Sequence, residues 1–175
     1  MIKLDKIIIH NSEIQLVADR IAHNILDDID NMSDELIIIS VLKGSIFWLN
    51  DVVKHFPINL NTKFDFIQTS SYGDNMSPSN VRLIKDIDIE LTNKNVLIVE
   101  DIIDTGYTMK FILNHFKNQN PKSIKICTLL NKKIRRKVDD INADYVGFEI
   151  DDVFVAGHGF DPYRHLPDIY SCVEK

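Results

Sequence analysis

A cluster of polar side chains able to do chemistry follows an apolar segment in the middle of the chain. The stretch VLIVEDIIDTGYT covers residues 96–108 and contains Glu100, Asp101, Asp104, Thr105 and Thr108, together with Gly106. Residues 100–108 are called the polar string below. Paired carboxylates can hold a sugar diol or a hard cation such as Mg²⁺. A small-residue turn that opens a helix offers backbone N–H groups to an anion, and Gly106 permits a close approach. The pattern therefore predicts a site for a phosphate monoester on a sugar, with Thr105 and Thr108 as hydroxyl donors and Asp104 beside the group joined to the sugar.

Each of these residues, taken alone, also has an ordinary structural explanation. An acid before a helix is a common N-cap that contributes about 1 kcal/mol, and many strands end in acids. The whole string at this spacing favours a binding site over that explanation. Two other phosphate-binding patterns, GxxxxGK[ST] and GxGxxG, do not occur in the sequence.

The elements that must position this string alternate along the chain. Apolar runs predict strands at residues 35–42, 63–71, 81–85, 95–99, 123–130, 145–150 and 153–156, and helical spacing predicts helices from Ser12, capped with Gln15, and at 46–53 and 108–118. Strands alternating with helices predict an α/β fold with a mostly parallel sheet covered on both faces. Ligands of such sheets bind beyond the carboxyl ends of the strands. We therefore expect Lys43, after the first of these strands, to lie near residues 100–106. Residues 72–80 are interpreted as a mobile loop, and the tail from residue 162 has no clean period.

Composition limits the class of protein. The chain has 175 residues, of which 45% are hydrophobic and 26% charged, as is typical of a single globular domain. A net charge of −6 disfavours a nucleic-acid partner. Cys127 and Cys172 form neither a disulfide framework nor a metal pattern, and their apolar neighbours predict buried or half-buried thiols. The apolar runs are too short to cross a membrane and the opening residues lack a signal-peptide pattern, so we expect a cytoplasmic protein.

Four separated stretches together resemble one enzyme family. Residues 96–108 resemble the phosphoribosyl-pyrophosphate motif of the type I phosphoribosyltransferases. The stretches VLKGS at 41–45, SSYGD at 70–74, and LLNKK with VGFEIDDVFVAGHGFD within 129–161 make the chain similar to the hypoxanthine (hypoxanthine-guanine) phosphoribosyltransferases over nearly its full length. The resemblance implies the type I phosphoribosyltransferase fold in a single domain over residues 1–175. Its core would cover about residues 12–150, and a small hood would come from the N-terminal segment and about residues 151–175.

The resemblance also implies a reaction in purine salvage. Enzymes of this family use Mg²⁺ to transfer ribose 5-phosphate from phosphoribosyl pyrophosphate to N9 of a 6-oxopurine, here hypoxanthine and guanine, and they release pyrophosphate. They commonly form homodimers or homotetramers. Two alternatives stay open: a sibling enzyme that prefers xanthine or guanine, and a regulatory RNA-binding relative on the same fold, against which the net charge weighs.

Residue roles follow from the same resemblance. The implied ligands of Mg²⁺ are Glu100, Asp101 and Asp161, of which the first two also contact the ribose hydroxyls. Asp104 corresponds to the general base or acid at purine N7. The implied 5′-phosphate loop consists of Ile103, Asp104, Thr105, Gly106, Tyr107 and Thr108.

The remaining implied roles concern pyrophosphate, the lid and the purine. Lys43 and Gly44 correspond to the pyrophosphate loop, in which the peptide bond before Lys43 can be cis, and Arg164 corresponds to an arginine that reaches pyrophosphate. Ser71 and Tyr72 correspond to the lid over the site. The implied purine contacts are Lys132 to the 6-oxo group, Phe154 stacked on the base, and the backbone of Val155 at the base edge.

Without the resemblance, three of these residues have simpler interpretations. Lys43 would belong to an ordinary strand-to-helix turn, Lys132 to a solvated run of cations at 132–137, and Phe154 to the core. The sequence also departs from the family in two places. The segment DPYR between Asp161 and Arg164 is short, and His158 stands where a tyrosine is common. We expect His158 to be a surface or interface residue without a catalytic role.

Overall fold

The computed structural model describes residues 2–29, 34–71 and 81–174, and its elements largely follow the predicted alternation. The strands are β1 (Ile2–Ile9), β2 (Leu36–Leu42), β3 (Thr62–Ser71), β4 (Val81–Lys85), β5 (Asn95–Ile103), β6 (Ser123–Asn131), β7 (Tyr145–Glu149), β8 (Val155–Ala156) and β9 (Ile169–Glu174). The helices are α1 (Asn11–Asp27), α2 (Ser45–Val53) and α3 (Tyr107–Lys117). Tyr72 and the rest of the predicted loop at 72–80 lie outside the described residues.

A mixed sheet forms the centre of the molecule. Among the described residues it contains six strands in the order β4-β3-β2-β5-β6-β7, of which only β4 runs antiparallel to its neighbour. β2 and β5 are apolar on both faces, as expected of strands covered by helices on both sides. They lie side by side, with Ile39 opposite Ile98. Their carboxyl ends are therefore adjacent, which confirms the predicted proximity of Lys43 and residues 100–106.

Two apolar layers cover the opposite faces of this sheet. On one face α1 and α2 pack against alternate strand residues. This layer includes Ile14, Ile21, Trp48 and Val52 of the helices and Ile38, Leu97 and Leu129 of the strands. On the other face Met109, Ile112 and Phe116 of α3 pack against the intervening strand residues, including Ile37, Val96 and Ile98. Full burial of one such aliphatic side chain stabilises the fold by about 1.5–3 kcal/mol. The two layers fix the strand ends from which the polar string projects.

The two chain ends form a second sheet. β1, β9 and β8 pair antiparallel in that order, with Leu4 opposite Cys172 and Ile9 opposite Ile169. The expectation of an irregular tail is therefore wrong for β9. Its buried positions include Ser171, whose hydroxyl donates to Asp5 Oδ2 at 3.1 Å. A serine on the inward face weakens the alternation of apolar and polar residues that marks a strand.

Several predicted boundaries differ from those of the structure, and two of the differences have an identifiable reason. α1 begins at Asn11 and not at Ser12, because His10 is the N-cap and its N–H donates to Glu13 Oε2 at 2.9 Å. β5 runs on to Ile103 because β6 continues beside it. β8 is shorter than residues 153–156.

The cysteine prediction is confirmed, since Cys127 is buried and Cys172 is partly buried. Within the described part of the chain, no helix is both long and apolar enough to span a membrane.

Candidate active site

A cavity of about 260 Å³ opens at the carboxyl ends of β2 and β5. The predicted site residues that line it are Lys43, Glu100, Asp101, Ile103, Asp104, Thr105, Gly106, Tyr107 and Thr108. This is the edge of a parallel sheet at which ligands of α/β proteins bind. Most of the predicted phosphoribosyl-binding residues therefore share one cavity.

The loop between β5 and α3 has the features of an anion-binding site. Gly106 is the N-cap of α3 and has φ of +89°, a conformation that favours glycine. The first turn of a helix has N–H groups without intrahelical partners, and the helix dipole adds positive potential there. Thr105 is buried beside them. Because Gly106 occupies the cap position, the alternative interpretation of Asp104 as an ordinary N-cap is wrong.

Two adjacent carboxylates lie deep in the cavity at the end of β5. Glu100 is buried, and its Oε1 accepts the N–H of Asp101 at 3.0 Å. Asp101 Oδ1 accepts the N–H of Ile102 at 2.7 Å. Burial and the charge of Asp101 raise the pKa of Glu100 well above its usual range, and burial also raises the pKa of Asp101. A bound cation or sugar hydroxyl would relieve the cost of placing two acids together away from water.

Glycines bring the pyrophosphate-loop candidates against these acids. A Cβ atom on Gly44 would lie 1.7 Å from Asp101 Oδ2, and one on Gly159 would lie 2.4 Å from the carbonyl oxygen of Gly44. The turn at residues 157–160 can therefore pack closely on the β2–α2 connection. The Leu42–Lys43 peptide bond is cis, as the resemblance implies.

The same turn leads directly into Asp161 and Arg164. Arg164 Nε donates to Asp161 Oδ1 at 2.6 Å, so the short DPYR segment still closes an ion pair. The hydrogen bond from Arg164 and the charge of Lys43 lower the pKa of Asp161, and the charge of Arg164 also acts on Asp101. Within the described residues Asp161 does not join Glu100 and Asp101 in a group of three potential metal ligands. Asp161 and Arg164 thus lie at the edge of the site, paired with each other.

Lys132 is buried, although it belongs to the run of cations at residues 132–137 that the sequence alone would place in solvent. Its side chain is buried with a relative exposure of 8%, whereas that of its neighbour Lys133 is 73% exposed. The Lys132 N–H donates to the carbonyl oxygen of Ile103 at 3.0 Å, which fixes it beside the polar string. The prediction of a solvated face is wrong for Lys132 and right for Lys133.

The predicted purine-stacking residue is not part of the core. Phe154 is 54% exposed, so the core interpretation is wrong. Its carbonyl oxygen accepts the N–H of Cys172 at 2.8 Å, and the next residue, Val155, is buried in β8. Lys132, Phe154, Val155, Asp161, Arg164 and Gly44 are not among the residues that line the cavity. The structure places Ser71 at the end of β3.

Two arrangements near the site were not predicted from the sequence. Arg135 Nε donates to Asp104 Oδ1 at 2.8 Å. His158 Nε2 lies 2.8 Å from Asp51 Oδ2 with both side chains buried, so its expected surface position is wrong. No local pattern marks either pair, because the partners come from different elements.

Comparison with known proteins establishes the family. A family model described as the phosphoribosyl transferase domain matches residues 6–164. The chain belongs to the phosphoribosyltransferase family. It is 42% identical to the hypoxanthine phosphoribosyltransferase of Buchnera aphidicola over 174 residues, which are 97% of each chain.

Solved phosphoribosyltransferases share the whole fold. The crystal structure of a hypoxanthine-guanine phosphoribosyltransferase from Bacillus anthracis aligns with a TM-score of 0.90 and 41% identity, over 99% of this chain and 100% of that one. A hypoxanthine phosphoribosyltransferase of Trypanosoma cruzi, studied for the role of its C-terminal region in oligomeric state and activity, aligns with a TM-score of 0.88 and 34% identity over 96% and 91% of the two chains. The predicted type I phosphoribosyltransferase fold is confirmed.

Proposed function

We propose that this phosphoribosyltransferase transfers the 5-phosphoribosyl group from phosphoribosyl pyrophosphate to N9 of hypoxanthine and of guanine, giving IMP and GMP with release of pyrophosphate, in purine salvage. The observation that carries the proposal is the hydrogen bond from the Lys132 N–H to Ile103, which joins the implied purine-recognising lysine to the phosphoribosyl-binding string. Relatives that act on hypoxanthine support the choice of purine. One domain performs the reaction, with a core of about residues 12–150 and a hood from the chain ends.

The substrate phosphates have separate docking groups. The 5′-phosphate accepts hydrogen bonds from the N–H groups of the first turn of α3 and from the hydroxyl groups of Thr105 and Thr108. Lys43, Gly44 and Arg164 hold the pyrophosphate from the other side of the cavity. The lid residues Ser71 and Tyr72 close over the bound substrate and exclude water. These contacts fix the ribosyl carbon between its leaving group and the purine.

The donor set fits Mg²⁺. This ion is usually held by one or two carboxylates, with substrate phosphate oxygens and water completing its shell. Glu100 supplies a buried carboxylate and Asp101 a partly buried one, and a cation beside them would offset the burial cost that raises both pKa values. Asp161 would complete the set from the pyrophosphate side. When bound, the ion supplies charge neutralisation for the departing pyrophosphate.

Proton transfer falls to Asp104. As N9 bonds to the ribosyl carbon, the bond from that carbon to the pyrophosphate oxygen breaks and its electron pair leaves with pyrophosphate. Asp104 accepts the proton from purine N7, which keeps the new nucleoside neutral. Lys132 donates to the 6-oxo group and Phe154 stacks on the base, so the ring is held with N9 toward the sugar.

We also propose a cytoplasmic homodimer or homotetramer that binds neither nucleic acid nor membranes. The net charge of −6 opposes binding to phosphate backbones. In the Trypanosoma cruzi relative the C-terminal region has a role in the oligomeric state, which supports an assembly here. Sedimentation of the purified chain would give its state.

An ultraviolet assay tests the function directly. The enzyme, phosphoribosyl pyrophosphate and Mg²⁺ are combined separately with hypoxanthine, guanine, xanthine, adenine and uracil. We expect nucleotide from hypoxanthine and guanine, and loss of that activity with EDTA. Turnover only with xanthine would favour the sibling enzyme. No turnover with any base, while nucleotide still binds, would contradict the proposal and favour the RNA-binding alternative.

Substitution of Lys132 tests the purine contact. In Lys132→Gln we expect kcat/KM for hypoxanthine to fall about 10- to 150-fold, because a hydrogen bond from a charged donor contributes about 1.5–3 kcal/mol. Discrimination against adenine should weaken, since its 6-amino group is a poor acceptor. Lys133→Gln is the matched control, because this exposed neighbour undergoes the same change. Equal losses in the two variants would contradict the assignment.

A further inference from the structure

Arg135 lies between two acids at the mouth of the site. It ends the 3₁₀ turn Lys133–Arg135, which follows β6. Its Nε donates to Asp104 Oδ1 at 2.8 Å, and its Nη1 donates to the two carboxylate oxygens of Asp152 at 3.3 and 3.2 Å. Asp152 Oδ1 also lies 3.8 Å from Lys132 Nζ. Four charges of alternating sign therefore connect the purine-recognising lysine with the proton acceptor.

The backbone places Arg135 there. The Lys132 N–H donates to the carbonyl oxygen of Ile103, and the Lys137 N–H donates to that of Thr105, each at 3.0 Å. These two hydrogen bonds attach the segment to the residues immediately before and after Asp104. The two hydrogen bonds hold the segment against the polar string on both sides of Asp104. They therefore place Arg135 beside Asp104.

We propose that Arg135 is a positioning residue for Asp104 in phosphoribosyl transfer, and that Asp152 fixes the arginine in turn. The inference rests on the proposed function, because it assigns a purpose to contacts around the proposed proton acceptor. Asp104 and Arg135 are about one-third and two-fifths exposed, so a solvated Asp104 carboxylate would sample several rotamers without this contact. A charge-assisted bond to Oδ1 orients the group and leaves Oδ2 as an acceptor for the N7 proton.

Arginine suits this task better than lysine. Its planar group presents donors in a fixed geometry, so Nε and Nη1 can serve Asp104 and Asp152 at the same time. The hydrogen bond to Asp152 and the charge of Asp104 raise the pKa of Arg135, which agrees with a guanidinium held between two carboxylates. Exposed ion pairs contribute little to stability. An effect of Arg135 on turnover should therefore exceed its effect on folding.

Arg135→Gln tests the proposal through the split between kcat and KM. We expect kcat to fall about 10- to 100-fold, because a small misplacement of a reacting group has effects of that size. KM for hypoxanthine should change by less than about threefold, because Arg135 orients Asp104 and is given no contact with hypoxanthine itself. Arg135→Lys should recover part of kcat, because it keeps the charge but cannot form both contacts. Thermal unfolding of each variant reports whether the fold is intact.

Lys133→Gln is the matched control. Lys133 lies in the same turn, and its ion pair with Glu149, at 3.0 Å, does not involve Asp104. The substitution removes the same charge from the same segment. We expect its kcat to stay within about twofold of the wild-type value, because the change touches no group that contacts substrate. An equal loss in this control would overturn the proposal, because it would assign the effect to the charge of the segment.

A double-mutant cycle with Asp104→Asn decides whether Arg135 acts through Asp104. We expect Arg135→Gln to cause no further loss of kcat in the Asp104→Asn background. The same fold-loss in both backgrounds would overturn the proposal. If Arg135→Gln does not fold, Asp152→Asn serves in its place and should lower kcat about two- to tenfold, because the arginine loses one anchor. Unchanged kcat in either folded variant, with an active wild type, overturns this inference alone, whereas an inactive wild type overturns the proposed function.

Discussion

Replacement of Asp104 by asparagine is expected to lower turnover about 10²- to 10⁴-fold while hypoxanthine and phosphoribosyl pyrophosphate still bind. Asparagine keeps the size of the side chain and one acceptor oxygen, so the bond from Arg135 can persist. Its amide cannot take the proton from purine N7, so the transition state loses its general base. Steady-state kcat, with dissociation constants from equilibrium titration, gives the comparison.

The control for this prediction is Asp88→Asn. Asp88 makes the same change from carboxylate to amide, but its side chain is 92% exposed at 3.6 Å from Lys85 Nζ. We expect no measurable effect on kcat. Turnover near the wild-type value in Asp104→Asn would remove the proposed role from Asp104, and a loss of binding equal to the loss of kcat would assign it to substrate recognition.

The sequence predicts two kinds of element well: strands that are buried on both faces, and helices whose apolar residues recur at regular helical spacing. β2 and β5 are continuous apolar runs because helices cover both faces of the sheet, and α1 repeats its apolar residues at helical spacing. β9 escapes prediction because it has only one buried face and places Ser171 on it. The place of the cavity was also predictable, because the polar residues lie at the carboxyl end of an apolar strand, where ligands of parallel sheets bind.

Charged residues in the connections are less predictable. Lys132 and Lys133 are adjacent and chemically identical, yet one is buried and the other exposed. The difference arises from the end of β6, which turns one side chain inward and the next outward. Arg135 lies in the same cationic run, and only the hydrogen bonds of that segment to Ile103 and Thr105 distinguish it. Local composition contains neither kind of information.

His158 extends this lesson to stability. Its Nε2 lies 2.8 Å from Asp51 Oδ2, and its Nδ1 lies 3.1 Å from the carbonyl oxygen of Pro167. Lys54 Nζ donates to Asp51 Oδ1 at 3.1 Å. The contact between Asp51 and His158 therefore joins α2 to the turn at residues 157–160 that packs against Gly44.

Removal of one partner should cost far more than removal of both. We expect His158→Ala to lower the free energy of unfolding by about 3–5 kcal/mol, because it leaves the buried Asp51 carboxylate without its main partner. The double variant Asp51→Leu with His158→Leu should be less destabilised than that single variant, since no buried charge remains. His23→Ala is the matched control: His23 forms an exposed pair with Asp19 at 3.6 Å, and little change is expected. Urea unfolding at pH 7 gives the three values.

The pH dependence of stability has a definite sign. Burial alone would raise the pKa of Asp51, but the hydrogen bonds from His158, Gln15 and Lys54 outweigh it, so the pKa is lowered. A carboxyl group whose pKa is lower in the folded state stabilises the protein above its unfolded value of about 4 and loses that contribution as the pH falls through the folded pKa. We expect the wild type to lose stability below about pH 4 more steeply than the double variant does. Parallel acid-unfolding curves for the two proteins would contradict a stabilising Asp51–His158 pair, because the variant lacks the group that titrates.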